Sequence, residues 1–414
     1  MSRLVMKFGG TSVADLERIR RVAGLVAAEA RSGRGVAVVV SAMAGKTNEL
    51  VAWTDGAGTA DPALGADDDE YDAVVASGEQ VTAGLLAMTL RNLGVPARSW
   101  LGWQVPIITD DSHGRARIEE IPEANLGAAL DGGEVAIIAG FQGVTRVGRL
   151  STLGRGGSDT TAVAIAAAIG ATGCDIYTDV DGVYTTDPRI EAKARRLSRI
   201  SYEEMLEMAS LGARVLHSRS VEMAMAHGVR VRVLSSFSEP GGGHGTIVCD
   251  EEDIVEKRIV SGVAFSRDEA KISLFGLPDH PGVSSEIFGR LADANVNVDM
   301  IVQSHARHAG AANMEFTVGK RDAARAVEIV RAAQEAIGFD DVAVDEDVAK
   351  VSVIGVGMRS HAGVAKTMFG ALAEKGVNIQ VISTSEIKIS VLIDAAYTEL
   401  AVRALHAAYG LDRI

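Results

Sequence analysis

The chain has 414 residues, of which 47% are hydrophobic, and this length predicts two or three domains that each have a full core. Its formal net charge of −14 argues against a surface for nucleic acid or anionic membranes, because those partners are also negatively charged. Two cysteines, a start without a signal peptide and apolar runs of only about ten residues predict a cytoplasmic protein with reduced thiols and no membrane span.

The first part of the chain alternates between apolar runs that predict buried strands and periodic segments that predict helices. The predicted strands are Leu4–Phe8, Val36–Val40, Val135–Ile138 and Ile176–Thr178. The predicted helices are Asp15–Ala30, Tyr71–Leu93 and Ala162–Ile169, and the polar stretch Trp53–Asp69 is predicted to be a loop. Alternation of this kind, continued to about residue 235, is typical of an α/β sandwich with a largely parallel sheet.

A glycine-rich stretch at Leu150–Ala162 is predicted to join a strand to a helix. Ser158, Asp159 and Thr160 are residue types that cap helix N-termini, where anions bind readily. Arg155 adds a cation close to the Asp159 anion, so the turn is suited to both ends of a zwitterion such as a free amino acid. In the alternative reading, Arg155 and Asp159 pair with each other in an ordinary capped turn.

Two further glycine turns follow predicted strands, at Lys7–Ser12 and Ser41–Thr47. The second ends like a P-loop, but Val40 stands where the first glycine of that motif is required. Because parallel strands end at the same edge of a sheet, the three turns together suit a polyphosphate and a second, anionic substrate.

The chain repeats itself after a predicted linker at Pro240–Gly245. Lys271–Gly276 matches Lys350–Gly355, and Val296–Val298 matches Val377–Ile379, with a spacing of about 80 residues. Each copy is predicted to contain a strand, a turn, an amphipathic helix and a strand, which is the pattern of a small α+β module.

These features together resemble the aspartate kinases (aspartokinases) of the amino-acid kinase family. The similar motifs are Lys7–Val13, Leu153–Thr161 and Thr178–Arg189, and the two C-terminal repeats resemble the paired ACT domains of that family. The resemblance covers nearly the whole chain.

The resemblance implies an amino-acid kinase-like αβα sandwich at residues 1–240, with a largely parallel central sheet. Residues 241–265 would form a linker and the first strand of the second ACT module. The ACT modules themselves, of ferredoxin-like α+β fold, would occupy residues 266–345 and 346–414.

The implied reaction is ATP-dependent phosphorylation of the L-aspartate side-chain carboxylate to 4-phospho-L-aspartate, the first step towards lysine, threonine and methionine. ATP would arrive with Mg²⁺, and no protein-bound metal or organic cofactor is expected. A carboxylate is already ionised at pH 7, so no general base is needed and catalysis reduces to positioning and charge stabilisation.

The resemblance also implies the site residues. Lys7 would neutralise charge on the transferring group, Arg155 would clamp a substrate carboxylate, and Asp159 would bind the substrate ammonium. The implied substrate-binding residues are Thr47, Glu79, Arg155, Gly156, Gly157 and Ser158. The implied ATP-binding residues are Lys7, Phe8, Gly9, Gly10, Ser41, Thr178, Asp179, Tyr184, Arg189 and Arg214. Relatives often have lysine where this chain has Arg214. In the alternative to a role in the site, Lys7 pairs with a surface acid and Glu79 is a solvated helix residue.

Feedback by lysine, threonine or both is implied through the ACT modules. The implied effector-binding residues are Asn297, Val298, Asp299, Gln303, Asn378, Ile379, Thr384 and Ser385. In the alternative, Asn297 and Asn378 are only turn residues before a strand. Pairing of ACT modules between chains would give a homo-oligomer, or an assembly with a short ACT-only subunit.

Two competing functions remain open at this point. The chain could be a different amino-acid kinase, of the glutamate type, or a non-catalytic amino-acid sensor with the same fold. The Arg155 and Asp159 charges favour a free amino acid as substrate, and the presence of Lys7 and Glu79 argues against a sensor.

Overall fold

The structure, a computed structural model, describes residues 2–57, 68–212, 215–238, 245–254, 258–305 and 311–413. The chain divides into two compact units. The first contains residues 1–183, 196–210 and 214–256, and the second contains 184–195, 211–213 and 257–414. Residues 240–244 of the predicted linker lie outside the described residues.

The strands of the first unit form two sheets. They are β1 (Arg3–Phe8), β2 (Gly35–Val40), β3 (Ala97–Trp100), β4 (Ile108–Thr109), β5 (Ile118–Glu120), β6 (Val135–Ala139), β7 (Gln142–Thr145), β8 (Leu150–Thr152), β9 (Cys174–Thr178), β10 (Arg199–Ser201), β11 (Val231–Ser235) and β12 (Thr246–Cys249). The large sheet has the order β10-β12-β11-β9-β1-β2-β6-β3, and only the β11–β12 pair is antiparallel. The predicted largely parallel sheet is therefore confirmed.

Helices of the first unit pack against the large sheet, the small sheet and one another. They are α1 (Leu16–Arg31), α2 (Lys46–Ala57), α3 (Asp68–Val75), α4 (Ser77–Asn92), α5 (Ala124–Asp131), α6 (Gly157–Ala168), α7 (Tyr202–Ser210) and α8 (Ser218–His227). Asp15 caps α1 by accepting a hydrogen bond from Arg18 N. The central strands are buried on both faces, which explains their continuous apolar sequences.

The small sheet, of order β5-β4-β7-β8, was not predicted. Its strands have only two to four residues, so they are too short for a clear alternating pattern. Leu150–Thr152, which was predicted to be part of the glycine turn, is the edge strand β8 of this sheet.

The predicted loop at Trp53–Asp69 is wrong at both ends. The helix α2 continues to Ala57, and α3 begins at Asp68, while residues 58–67 lie outside the described residues. None of the α2 residues is fully buried, so the apolar periodicity that would have predicted this helix is missing.

The predicted helix at Tyr71–Leu93 consists of two helices, α3 and α4, that meet at Ala76. Together they form the stretch Asp68–Asn92, which in the described part of the chain has the length and hydropathy of a membrane span. Half of the most apolar window is buried inside the protein, and a core helix has the same properties. This stretch is therefore weak evidence for a membrane segment.

The second unit contains a six-stranded antiparallel sheet. The strands are β13 (Gly262–Pro278), β14 (Val298–His305), β15 (Ala311–Val318), β16 (Asp341–Ile354), β17 (Val381–Thr384) and β18 (Lys388–Asp394). Their order across the sheet is β14-β15-β13-β16-β18-β17. The helices are α9 (Val283–Asp293), α10 (Lys320–Ala332), α11 (Gln334–Ile337), α12 (Val364–Glu374) and α13 (Thr398–Ala408). Separate cores form around α9 and α10 and around α12 and α13.

The repeat in the sequence is a repeat in the structure. Gly282 and Gly363 precede α9 and α12 with φ values of 104° and 105°. Leu291 and Leu372 are fully buried at matching positions of the two helices. The long strand β13 also joins the copies, because its first residues, Gly262–Ser266, pair with the second half of β16.

Two segments cross the boundary that the sequence suggested at residue 240. Thr246–Cys249, predicted to lie in the linker, forms β12 in the sheet of the first unit. Residues 184–195 belong to the second unit, where Thr185 Oγ1 lies 2.9 Å from His406 Nε2. In the same segment, Arg403 Nε donates a hydrogen bond of 2.9 Å to Ile190 O.

Replacing Gly363 by alanine should destabilise the protein by about 1–2 kcal/mol, because an L-residue is strained at this positive φ although no atom obstructs its Cβ. Replacing Gly370, inside α12 and equally unobstructed, should instead stabilise by about 0.5–1 kcal/mol. Denaturant unfolding of the full chain measures both effects. Equal effects of the two substitutions would contradict the assignment of Gly363 to a left-handed cap.

Candidate functional site

Four neighbouring parallel strands of the first unit, in the order β9-β1-β2-β6, end at one edge of the sheet. Backbone hydrogen bonds join the loops that follow them. Gly9 N donates to Tyr177 O at 3.3 Å, Ser41 N to Phe8 O at 3.1 Å, and Gly140 N to Val40 O at 3.0 Å. Two of the predicted glycine turns, Lys7–Ser12 and Ser41–Thr47, therefore meet at this edge, where ligands of parallel sheets bind.

Lys7 and Asp159 form an ion pair at this edge. Lys7 Nζ, on β1, lies 2.5 Å from Asp159 Oδ1, in the first turn of α6. The two side chains are only 10% and 13% exposed, so water screens the pair weakly. Lys7 is thus paired inside the site rather than with a surface acid.

Arg155 is exposed, between two glycines that have positive φ values. It forms no hydrogen bond or ion pair with any part of the chain that the structure describes. The alternative in which Arg155 pairs with Asp159 is therefore wrong. A cation that can receive a ligand carboxylate lies four residues from an anion that is held by Lys7.

The N-terminus of α6 differs from the prediction. Gly156 is the N-cap and no side chain caps the helix, so Ser158, Asp159 and Thr160 lie in its first turn. A Cβ atom at Gly156 would lie 2.3 Å from His217 Cγ, which explains why a serine or aspartate cap is excluded there.

The amides at this helix end are available to a ligand. Gly157 N donates to Gly154 O, whereas the N–H groups of Ser158 and Asp159 form no hydrogen bond within the described ranges. Unbonded amides at the positive end of a helix attract anions.

Glu79, in the first turn of α4, is buried rather than solvated, with 3% exposure. Its Oε1 accepts a hydrogen bond from Ala42 N at 3.0 Å, while Oε2 is buried without a partner among the described residues. Burial raises the pKa of this carboxyl to about 7. A carboxylate left incompletely bonded beside the sheet edge is a candidate for binding a ligand cation.

The other predicted residues of the first unit lie in the same loops, in different environments. Ser41 and Thr47 are half-buried after β2, while the ring of Phe8 is in the core and stacks on Tyr177 at 4.6 Å. Thr178 ends β9, and its hydroxyl donates to Asp179 Oδ1 at 3.1 Å. Phe8 thus offers a ligand only its backbone.

Sequence reasoning missed Ser12 and Ser236 at this edge. Ser12 Oγ donates to Ser236 Oγ at 2.9 Å, and Ser236 N donates to Thr178 O at 3.0 Å. Ser236 directly follows β11, so its position after an apolar run was the available signal.

Three residues that were predicted to bind the nucleotide are not among the described residues of the first unit. Tyr184, which is half-buried, and Arg189 belong to the second unit. Arg189 is exposed and pairs with Asp187, at 2.7 Å for the shortest contact. Arg214 lies outside the described residues.

The predicted effector residues of the second unit lie in β14, in β17 and in the turns next to these two strands. Those that are exposed are Asn297, Asp299, Gln303, Asn378, Thr384 and Ser385, and those that are half-buried are Val298 and Ile379. Lys350 Nζ lies 2.8 Å from Asp299 Oδ2 and 2.8 Å from Glu269 Oε1. Sequence analysis did not identify this lysine as buried, although its signal was a charge inside the apolar second half of β16.

Within the described residues, no three His, Cys, Asp or Glu side chains are arranged to hold a metal ion. Asp69 and Glu70, in the first turn of α3, each lie 2.8 Å from Arg149.

Comparison with known proteins identifies the family. A model of the amino acid kinase family matches residues 2–235, and ACT-domain models match residues 272–335 and 351–409. An aspartokinase of Pseudomonas aeruginosa is 52% identical, over 100% of this chain and 98% of its own length.

Solved structures agree with this result. E. coli aspartokinase III in complex with aspartate and ADP, in the R-state, has a TM-score of 0.81 and 30% identity over 98% of this chain and 99% of its own. The same enzyme with lysine and aspartate, in the T-state, has a TM-score of 0.76 and 30% identity over 98% of each chain. The chain therefore belongs to the amino acid kinase family, as an aspartokinase in which two ACT domains follow the kinase region.

Proposed function

We propose that the edge formed by β9, β1, β2 and β6 transfers the γ-phosphoryl group of magnesium-bound ATP to the side-chain carboxylate of L-aspartate. The observation that carries this proposal is the shielded Lys7–Asp159 pair beside the unpaired Arg155. These charges match those of a zwitterionic acceptor and a polyphosphate donor. The aspartate and ADP in the E. coli neighbour support the same pair of ligands.

The acceptor carboxylate is ionised at neutral pH, so the protein has no proton to remove from it. Asp159 and Glu79 bind the aspartate ammonium, and Arg155 binds one of its carboxylates with a planar guanidinium. Thr47, Gly156, Gly157 and Ser158 complete the substrate site from the adjoining loops.

The phosphate chain of ATP is held by a cation and by backbone N–H groups. Lys7 and the amides of Gly9 and Gly10 bind phosphate oxygens, and the free amides of α6 stabilise negative charge on the transferring group. Ser41, the Phe8 backbone, Thr178, Asp179, Tyr184, Arg189 and Arg214 are proposed to complete the nucleotide site. Asp159 also keeps the Lys7 ammonium at the strand end, so its position is fixed before ATP arrives.

Regulation and assembly are proposed for the second unit. Lysine, threonine or both bind at the predicted effector residues of the ACT modules, consistent with lysine in the E. coli neighbour. Such an effector must bind two states unequally, by roughly 1–3 kcal/mol of coupling. ACT modules at 266–345 and 346–414 pair between chains of a cytoplasmic homo-oligomer, or with a short ACT-only subunit.

A hydroxamate assay tests the reaction. With ATP, Mg²⁺ and L-aspartate the enzyme should form aspartyl hydroxamate, whereas L-glutamate should give little product. Turnover of glutamate would identify a different amino-acid kinase, and no turnover would favour a sensor. Repeating the assay with lysine, threonine and both together identifies the effector.

Arg155→Ala should lower kcat/KM for aspartate by roughly 10²–10³, because the substrate carboxylate loses its cation while ATP binding is kept. Steady-state kinetics with each substrate varied in turn measure this effect. Arg20→Ala removes another exposed arginine, on α1, and serves as the control. Unchanged aspartate kinetics in Arg155→Ala would remove Arg155 from the site.

Glu79 should make aspartate binding depend on pH. Its raised pKa, about 7, means that the ammonium-binding anion forms as pH rises from about 6 to 8, so kcat/KM for aspartate should increase over this range. Glu79→Gln should flatten the profile, whereas Glu17→Gln, on the exposed face of α1, should not. The same slope in the Glu79→Gln enzyme would show that another group titrates.

A further inference from the structure

Asp72, on α3, is a fully buried carboxylate that the reaction described above does not use. Its Oδ1 accepts hydrogen bonds from Thr152 Oγ1 at 2.5 Å and from Gly114 N at 3.0 Å. Its Oδ2 lies 2.8 Å from His113 Nδ1, which donates to the carboxylate. Burial of a carboxylate is costly unless its oxygens are bonded in this way, so the cluster holds its members in fixed positions.

The groups that Asp72 holds lead directly to the turn that carries Arg155. Thr152 ends β8, three residues before Arg155. Gly114 packs against the turn itself, because a Cβ atom at Gly154 would lie 3.1 Å from Gly114 O. Asp72 therefore fixes both the strand that enters the turn and the loop on which the turn rests.

Arg219, on α8, fixes the same backbone from another direction. Its guanidinium donates to Leu153 O at 2.5 Å and to Ala116 O at 2.6 Å. Leu153 N donates to Phe141 O at 2.9 Å. The backbone on the N-terminal side of Arg155 is thus bonded at successive residues.

Arg155 itself has no side-chain partner in the described part of the chain. The direction of its guanidinium therefore depends on the backbone of the turn and not on a side-chain hydrogen bond. A shift of this backbone would move the cation away from the substrate carboxylate, and small displacements of a binding group have large kinetic effects. Lys7 and Gly9 lie on a different strand and loop, and Asp159, which pairs with Lys7, lies inside α6, so this pair is expected to stay in place.

We propose that Asp72 is a positioning residue for aspartate binding, which acts through Thr152 and Gly114 on the turn that carries Arg155. This inference rests on the proposed role of Arg155 in the substrate site. Asp72 is fully buried among protein groups, so it is not proposed to contact either substrate. Its loss is expected to weaken the use of aspartate and to leave the use of ATP nearly unchanged.

Thr152 offers a gentler test than Asp72, whose replacement risks unfolding the protein. Thr152→Val keeps the side-chain shape and removes the hydroxyl that donates a hydrogen bond to Asp72. Because the turn that carries Arg155 then loses this anchor, the KM for aspartate should rise roughly tenfold. The KM for ATP should change less than about twofold. Thr152→Ser, which keeps the hydroxyl, should restore aspartate KM.

Ser151→Ala is the matched control. Ser151 is the preceding residue of β8, equally buried, and its hydroxyl bonds Thr109 Oγ1 at 2.6 Å on the other side of the strand. The control removes a hydrogen bond of the same kind and should lower the Tm without changing aspartate KM. If Ser151→Ala and Thr152→Val change both KM values and kcat alike, the role of Thr152 is merely structural and the proposal is overturned.

A double-mutant cycle separates this inference from the proposed function. In the Arg155→Ala background, Thr152→Val should have no further effect on kcat/KM for aspartate, because both changes act through the same cation. Additive effects would overturn the positioning role. If Arg155→Ala alone leaves aspartate kinetics unchanged, the proposed function of Arg155 fails, and the positioning role of Asp72 fails with it. If Arg155→Ala is impaired and Thr152→Val is normal, only the inference fails.

Discussion

The ion pair between Lys7 and Asp159 is the interaction on which the candidate site depends. It joins the end of a central strand to the first turn of α6, and both side chains are almost shielded from water. Two opposite charges are costly to bury unless they meet closely, so the fold must bring the strand end and the helix turn together. The same closeness places the cation that is proposed to bind phosphate next to the anion that is proposed to bind the substrate ammonium. Stability and ligand binding thus both require that Lys7 and Asp159 lie close together at this edge of the sheet.

The sequence predicted the parallel sheet and the edge where its turns meet, because long apolar runs and glycine turns are local signals. It also predicted the internal repeat, and the matching Gly282 and Gly363 caps show why: both copies need the same left-handed residue before a helix. The small sheet and α2 were missed, since short strands and a helix with no buried residue carry no periodic signal. The cap of α6 was predicted wrongly because the close approach of His217 to Gly156 is a contact between distant parts of the chain.

The states of individual charges could not be predicted without the fold. In the sequence, Glu79 is indistinguishable from a solvated helix residue, yet it is buried with one unbonded oxygen. Arg155 and Asp159 are close in sequence, but Asp159 pairs with Lys7 instead. Asp72 lies next to an acidic run, and only the three-dimensional arrangement shows that it binds His113 and Thr152. Resemblance suggested which residues form the site, and the structure supplies their environments.

Residues 184–195 belong to the second unit although they lie, in sequence, between two segments of the first, and this limits how such a chain can be divided. Thr185 and Ile190 bond to His406 and Arg403, near the C-terminus, although they lie between two strands of the kinase sheet. Neither unit is therefore a continuous stretch of sequence, and no single cut yields two intact halves. A gene fragment that ends after the kinase sheet would encode this segment without the helix that binds it. Exchange of regulatory modules between relatives by recombination would have to replace both pieces at once.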